Sequence, residues 1–379
     1  MLYREFGKTK EKVSILGYGC MRLPCVSNNN KSVDEKEAIK QIRYAIDNGV
    51  NYIDTAYIYN EGISECVVGK ALKDGYRQKI YLADKLPSWL IKSREDMDKC
   101  LNEQLEKLST NYIDFYLLHA LNKEYFENLK KNNVFDFLES AVSSGKIKYI
   151  GFSFHDELDI FKEIVDYYPW SFCQIQYNYL DKDYQAGEEG LKYASQKGLG
   201  IVIMEPLRGG SIATNIPKHI KDIWEEYSGG KKSPVYWALK FLWNYPQIHV
   251  VLSGMNNMDH IKENINIANK TKANSLNKEE LNLIEKVKKE YESKIKIRCT
   301  GCNYCMPCDH NVDIPNVFKT YNDAYMFEDI SGMKDKYNKF LEGKASNCIK
   351  CGKCEKSCPQ HIQIRRELEK AIDLFENNK

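Results

Sequence analysis

From the N-terminus to about residue 291, short apolar runs alternate with longer stretches in which apolar residues recur every three or four positions. The runs are VSILGYG (13–19), NYIDTA (51–56), KIYLADK (79–85), IDFYLLH (113–119), KYIGFS (148–153), CQIQYN (173–178), GIVIMEP (200–206) and HVVLSG (249–254). Short, nearly continuous apolar runs separated by amphipathic helical stretches read as strands of a parallel sheet covered by helices on its faces. Eight such units in one series predict an α/β fold, a closed (β/α)8 (TIM) barrel, over an open sheet.

The helical stretches carry their own start and stop signals. Ser32 with Glu35 reads as a capping box, followed by Val33, Ala38, Ile39, Ile42, Ala45 and Ile46 at helical spacing, with Gly49 placed to end the helix. After Ser93, the stripe Met97, Leu101, Leu105 and Leu108 marks a buried helix face. Ser233-Pro234 reads as an N-cap and first helical position. A charged amphipathic stretch from Leu276 to Tyr291 closes the series. Cysteines then crowd the chain from Cys299 onward, so the expected domains are a barrel over 1–292 and a small α-rich, ferredoxin-like iron–sulfur module over 293–379.

Charge narrows the function classes. With 55 Lys and Arg against 53 Asp and Glu, the formal net charge is +2, which provides no field to recruit nucleic acid. No apolar run is long enough to span a bilayer, and the N-terminal MLYREFGKTKEK is charged where a signal peptide needs an apolar stretch. The expectation is a cytoplasmic protein with neither membrane nor nucleic acid as partner. Of the 13 cysteines, Cys20, Cys25, Cys66, Cys100 and Cys173 are scattered, whereas eight fall in two tight clusters. A secreted disulfide scaffold spreads its cysteines through a small domain; clustering points to metal.

Barrel active sites lie at the C-terminal ends of the strands. The polar residues there are Asp54 and Tyr59 after the second run, Lys85 after the third and His119 after the fourth. In NYIDTAYIYN, LADK and DFYLLH, and in the opening LGYGCMRLP, the chain resembles the aldo-keto reductase superfamily, whose active site uses Asp, Tyr, Lys and His at these strand ends. The chemistry agrees. Reducing a carbonyl requires a hydride donor and an acid for the developing alkoxide, and a phenol of pKa about 10 is a poor acid near neutrality. A nearby ammonium lowers that pKa, and a carboxylate keeps the ammonium charged. Tyr59 is thus the expected general acid/base, Lys85 its modulator, Asp54 the partner of Lys85, and His119 the group that orients the carbonyl or shares the proton relay.

No GxGxxG follows a first strand, so a Rossmann domain is not indicated. The resemblance implies NADP(H) or NAD(H) bound on the barrel itself, with Ser153 and Gln176 at the carboxamide. It also implies that Glu205, Pro206, Leu207 and Arg208 form one wall, and that Ser253, Gly254, His260, Glu263 and Asn264 lie in the adenosine-phosphate segment. The chain departs from the family at three places. Phe154 stands where many members have Asn, MEPLRGG replaces a stacking tyrosine, and Gly254 and His260 align with the Lys and Arg that commonly grip a 2′-phosphate.

Cys348, Cys351, Cys354 and Cys358, with Pro359, form the bacterial ferredoxin run C-x2-C-x2-C-x3-C-P; Cys299, Cys302, Cys305 and Cys308 form a shortened version. The crossed ferredoxin pattern assigns Cys299, Cys302, Cys305 and Cys358 to one [4Fe–4S] cluster and Cys348, Cys351, Cys354 and Cys308 to the other. The shortened spacing leaves open a triplet of Cys302, Cys305 and Cys308, and paired C-x2-C spacings also build zinc sites. NV (311–312), IP (314–315) and QHIQI (360–364) resemble the ferredoxin-type tails of one branch of aldo-keto reductases. The combined expectation is an oxidoreductase acting on a small carbonyl/alcohol pair, whose clusters exchange electrons with a redox-protein partner. A flavin is a candidate coupler, because hydride moves two electrons and a cluster one. The alternatives are purely structural clusters, or a nicotinamide-binding sensor or docking protein without turnover.

Overall fold

In the computed structural model, which describes residues 1–26, 32–214 and 216–377, all eight expected runs become strands. They are β3 (Leu16–Gly19), β4 (Tyr52–Asp54), β5 (Tyr81–Leu86), β6 (Ile113–Leu121), β7 (Ile147–Phe154), β8 (Phe172–Gln176), β9 (Gly200–Met204) and β10 (Val250–Ser253), after an N-terminal pair, β1 (Tyr3–Glu5) and β2 (Lys12–Ser14). β3 to β10 pair in parallel in chain order, and β10 returns to β3 to close the barrel.

The first run divides in two. Lys12–Ser14 pairs antiparallel with Tyr3–Glu5, and only Leu16–Gly19 enters the barrel. The hairpin so formed fills the barrel floor. The Phe6 ring, fully buried, lies 4.8 Å from Phe115 and 5.6 Å from Phe172, within a core that includes Tyr52, Ala83, Leu117, Val202 and Val250. Gly200 makes room for it, since a Cβ there would fall 2.7 Å from Phe6 Cε2. Glu11 accepts hydrogen bonds from the Tyr81 and Tyr149 hydroxyls at 2.7 and 2.8 Å and ties the hairpin to β5 and β7. Deleting a buried ring leaves a cavity that a barrel cannot collapse to fill. Phe6→Ala is expected to cost about 3–5 kcal/mol, read as a lowered denaturant midpoint.

The helix stripes pack as the spacing predicts, with one correction. The helix Glu35–Asp47 is capped by Asp34, whose side chain accepts from Glu37 N, and not by the expected Ser32–Glu35 box. Gly49, at φ +93°, follows its end as read. Ser93 does form a capping box, with Asp96, and Pro234 opens the helix Pro234–Trp243.

Packing groups residues 1–210 and 235–277 into one compact unit and residues 211–234 and 278–379 into a second. The second is helical: Lys218–Ser228, Lys278–Glu292, Ile314–Met326, Ile330–Phe340, Lys353–Ser357 and Ile364–Phe375. Within it, Ile297, Val317, Phe318, Tyr337, Leu368 and Phe375 form a core against which Cys299, Cys305, Cys308, Cys348, Cys354 and Cys358 pack. No helix among the described residues is long and apolar enough to cross a membrane.

Candidate functional site

The ends of two strands, β4 and β5, meet at Lys85. Its ammonium is fully buried and has three acceptors: Asp54 Oδ1 at 2.7 Å, the Thr55 carbonyl at 2.7 Å and the Tyr59 hydroxyl at 3.3 Å. An ammonium has three donors, so the set is complete. The backbone behind it is fixed as well: Lys85 N donates to Asp84 Oδ1 at 2.8 Å, and Gln104 Nε2 donates to Lys85 O at 2.9 Å. Tyr59 precedes two consecutive left-handed residues, Asn60 (φ 51°) and Glu61 (φ 57°), a tight turn at the edge of the site. The β6–β7 register shifts between Leu118 and Leu121, where Ala120 has φ 56°. Such irregularities in a strand re-aim side chains. Here His119 stands edge-on to Tyr59 with ring centroids 6.1 Å apart, and 5.1 Å from Trp89. The structure therefore brings Asp54, Tyr59, Lys85 and His119 to one end of the barrel.

The electrostatics differ from the simple expectation for Tyr59. Burial raises its pKa, and the opposing pull of the Lys85 charge does not overcome it, so the phenol lies above 10. Burial alone would lower Lys85, but Asp54 and Tyr59 outweigh it and keep the ammonium charged. Burial, then the charges of Lys85 and His155, hold His119 well below 6.5. It is a neutral imidazole, and its Nδ1 is buried without a hydrogen-bond partner.

Ser153 Oγ accepts from Ala120 N at 2.7 Å, and the β7–β8 register pairs Ser153 with Gln174, whose buried Oε1 has no partner. Gln176, two residues on and on the same face, donates to Asp181 Oδ2 at 2.9 Å. Asn178 donates to the same oxygen at 2.9 Å, and Arg208 lies 3.5 Å from it. Phe154 turns into the helix layer against Phe161. Glu205 and Arg208 are both left-handed, with the buried Pro206 and half-buried Leu207 between them. Ser253 Oγ accepts from Asn264 at 3.0 Å; Asn257 caps the helix Met258–Lys270 by accepting from His260 N, one turn ahead of Glu263.

Gln174, Asn178, Asp181 and Arg22 were not singled out from the sequence. Arg22 lies along Gly254, where an added Cβ would meet the Arg22 chain at 3.6 Å, and its guanidinium is 3.8 Å from Glu205. The signal for Arg22 was its place in LGYGCMRLP. For Gln174 it was the shared face with Gln176.

In the second unit, one cavity is lined by Cys299, Cys302, Cys305 and Cys358, and another by Cys305, Cys308, Cys348, Cys351 and Cys354. Among the described residues, no three Cys, His, Asp or Glu side chains converge as ligands of a single ion do.

A barrel with Lys85 bridging a carboxylate and a phenol at its strand ends, in a chain that also carries a two-cavity cysteine module, defines an oxidoreductase class. Residues 15–289 match the aldo/keto reductase family and residues 298–362 match a 4Fe–4S dicluster domain. The chain belongs to the aldo/keto reductase family and carries a C-terminal 4Fe–4S dicluster domain. It is 28% identical to a probable aldo-keto reductase 1 of Glycine max over 69% of this chain and 82% of that one. It is 25% identical to an L-galactose dehydrogenase of Arabidopsis thaliana over 75% and 93%. Among solved structures it resembles the holo form of an aldo-keto reductase from Bacillus halodurans, with TM-score 0.63, 26% identity and coverage of 76% and 96%. It shares its fold with a Klebsiella pneumoniae aldo-keto reductase solved with NADPH, with TM-score 0.62, 21% identity and coverage of 76% and 94%.

Proposed function

We propose that the barrel catalyses hydride transfer between a nicotinamide dinucleotide and a small carbonyl/alcohol substrate, with Tyr59 as general acid/base. The observation that carries this reading is the Lys85 ammonium shared among Asp54, the Thr55 carbonyl and Tyr59. The orphaned Gln174 Oε1 beside Ser153 fits a carboxamide that needs one acceptor and one hydroxyl partner. Gln176 and Asn178 then brace Asp181 behind them. The dinucleotide is NADP(H) or NAD(H). The exposed Arg22 beside Gly254 supplies the fixed positive charge that His260 lacks when neutral, which favours the 2′-phosphorylated form. Glu205 to Arg208 form the facing wall, and the start of the helix Met258–Lys270 is suited to phosphate.

When bound, the reduced dinucleotide supplies a hydride to the carbonyl carbon. Tyr59, protonated because its pKa lies above 10, gives its proton to the carbonyl oxygen, and Lys85 stabilises the phenolate left behind. Neutral His119 orients the carbonyl by hydrogen bonding.

In the cysteine module, the two cavities support the crossed assignment of two [4Fe–4S] clusters: Cys299, Cys302, Cys305 and Cys358, and Cys348, Cys351, Cys354 and Cys308. Thiols ringing a volume suit a cubane better than the converged tetrahedron that zinc requires. Their proposed task is to exchange single electrons with a redox-protein partner. The matched families lend no support to a flavin.

The test is turnover of small aldehydes with NADPH or NADH by anaerobically purified protein. The high Tyr59 and low His119 pKa values set the expected pH profile: kcat/KM for reduction stays level from pH 7 to 9 and falls only above 10. An inflection near 6.5 would show a titrating histidine as the acid and reject the assignment to Tyr59. No turnover with either dinucleotide would reject the reductase reading itself.

A further inference from the structure

Beside the main chain of Lys85 lie two carboxyl groups that the proposed chemistry does not use. Asp84 and Glu65 are both fully buried. Glu65, on the helix Ser64–Ala71, has a donor at each oxygen: Gln104 Nε2 at 3.2 Å on Oε1 and Lys107 Nζ at 2.8 Å on Oε2. Asp84 has the Lys85 N–H at 2.8 Å on Oδ1, and its Oδ2 is buried with no donor. Its hydrogen-bonding neighbour is instead the Glu65 carboxylate. Two ionised carboxylates only accept, so that contact requires a proton between them. Gln104 closes the arrangement, donating to Lys85 O at 2.9 Å and accepting from the Tyr116 hydroxyl at 2.7 Å.

We propose that Asp84 and Glu65 share one proton, with Asp84 the neutral partner at pH 7, and that the pair positions Lys85. Its purpose rests on the reductase reading; its existence does not. The surrounding charges leave no cation for an ionised Asp84. The Lys85 ammonium is filled by Asp54, the Thr55 carbonyl and Tyr59, and Lys107 serves Glu65. The other titratable groups facing Asp84, Cys20 and Tyr116, are held neutral by burial. Burial, then the Glu65 charge, push Asp84 well above the usual carboxylate range against the pull of the Lys85 N–H and ammonium. Ionised, Asp84 would add a second anion to Asp54 and draw on the positive charge that a Tyr59 phenolate needs. Neutral, it holds the Lys85 N–H while Gln104 holds the carbonyl, and both holds lead back to Glu65.

The test needs no turnover. The infrared spectrum of anaerobically purified wild type at pH 7 should show the carbonyl stretch of a buried protonated carboxylic acid, absent from Asp84→Asn. In Glu65→Gln, whose amide can donate to Asp84, that band should titrate away at lower pH than in wild type. Stability gives a second reading. Above about pH 4 the unfolded chain loses a proton that native Asp84 keeps, so this group's contribution falls as pH rises. Asp84→Asn keeps both hydrogen bonds without a proton to lose. Its folding equilibrium should therefore gain on wild type by up to about tenfold per pH unit between pH 5 and 7, read as a widening gap in denaturant midpoint. A missing band, an unshifted titration in Glu65→Gln or a constant gap would overturn the shared proton, whether or not the protein reduces aldehydes. Where it does, Asp84→Leu should lose roughly tenfold in kcat/KM, the value of one hydrogen bond, and Asp84→Asn should recover most of that. Equal losses in the two variants would overturn the positioning of Lys85.

Discussion

Tyr59→Phe is expected to lower kcat for aldehyde reduction by roughly 10²–10⁴-fold, the range of a positioned general acid, while dinucleotide affinity, read by fluorescence titration, stays unchanged. The substitution is clean for structural reasons. The ring stays in place, edge-on to His119 at 6.1 Å and 4.7 Å from the Lys85 ammonium, so its packing and cation–π contact persist. Lys85 keeps two of its three acceptors, Asp54 and the Thr55 carbonyl, and remains charged. Only the hydroxyl goes, and with it the proton for the alkoxide. A wild-type rate in the variant would mean that another group delivers that proton, and His119 cannot do so as a cation because burial keeps it neutral. The loss should appear in kcat and kcat/KM together, since the hydroxyl matters most in the transition state.

The barrel was legible because every one of its strands is buried on both faces and therefore reads as a nearly continuous apolar run. The meeting of Asp54, Tyr59, Lys85 and His119 was legible because barrel topology places strand ends together, so four residues far apart in sequence are neighbours by construction. What stayed hidden were matters of register and burial. VSILGYG looks like one strand, but Lys12–Ser14 belongs to the floor hairpin and Leu16–Gly19 to the barrel, a break that hydropathy does not mark. Gln174 and Gln176 share a face and a side-chain type. Only the pairing of Ser153 with Gln174, and the engagement of Gln176 by Asp181, distinguishes them. The direction of the Tyr59 shift depends on how completely the ring is enclosed, which spacing cannot express. Arg22 lies along Gly254, a neighbourhood visible only when the two loops lie side by side.

The second large effect lies in the cysteine module, where pairs of substitutions tell two ligand sets apart. If the sets are crossed, Cys299 and Cys358 serve the same cluster, and Cys299→Ala with Cys358→Ala should leave the other intact. Iron content should then fall from about eight to about four atoms per chain. If each sequence run held its own cluster, that pair would damage both, and iron would approach zero. The reciprocal pair, Cys299→Ala with Cys308→Ala, should give the opposite results. The geometry favours the crossed outcome: Cys358 lines the cavity of Cys299, Cys302 and Cys305, while Cys308 lines the one with Cys348, Cys351 and Cys354. The alternative triplet Cys302, Cys305 and Cys308 would require Cys308 in the first cavity, which it does not line. Six of the eight thiols also pack against the apolar core of Ile297, Phe318 and Leu368, so losing both clusters should loosen the module as well as bleach it. Proteolysis would then cut residues beyond 293 in the variant that loses both clusters and spare the variant that keeps one. Equal protease sensitivity in the two double variants would mean that the helices hold the module together without metal.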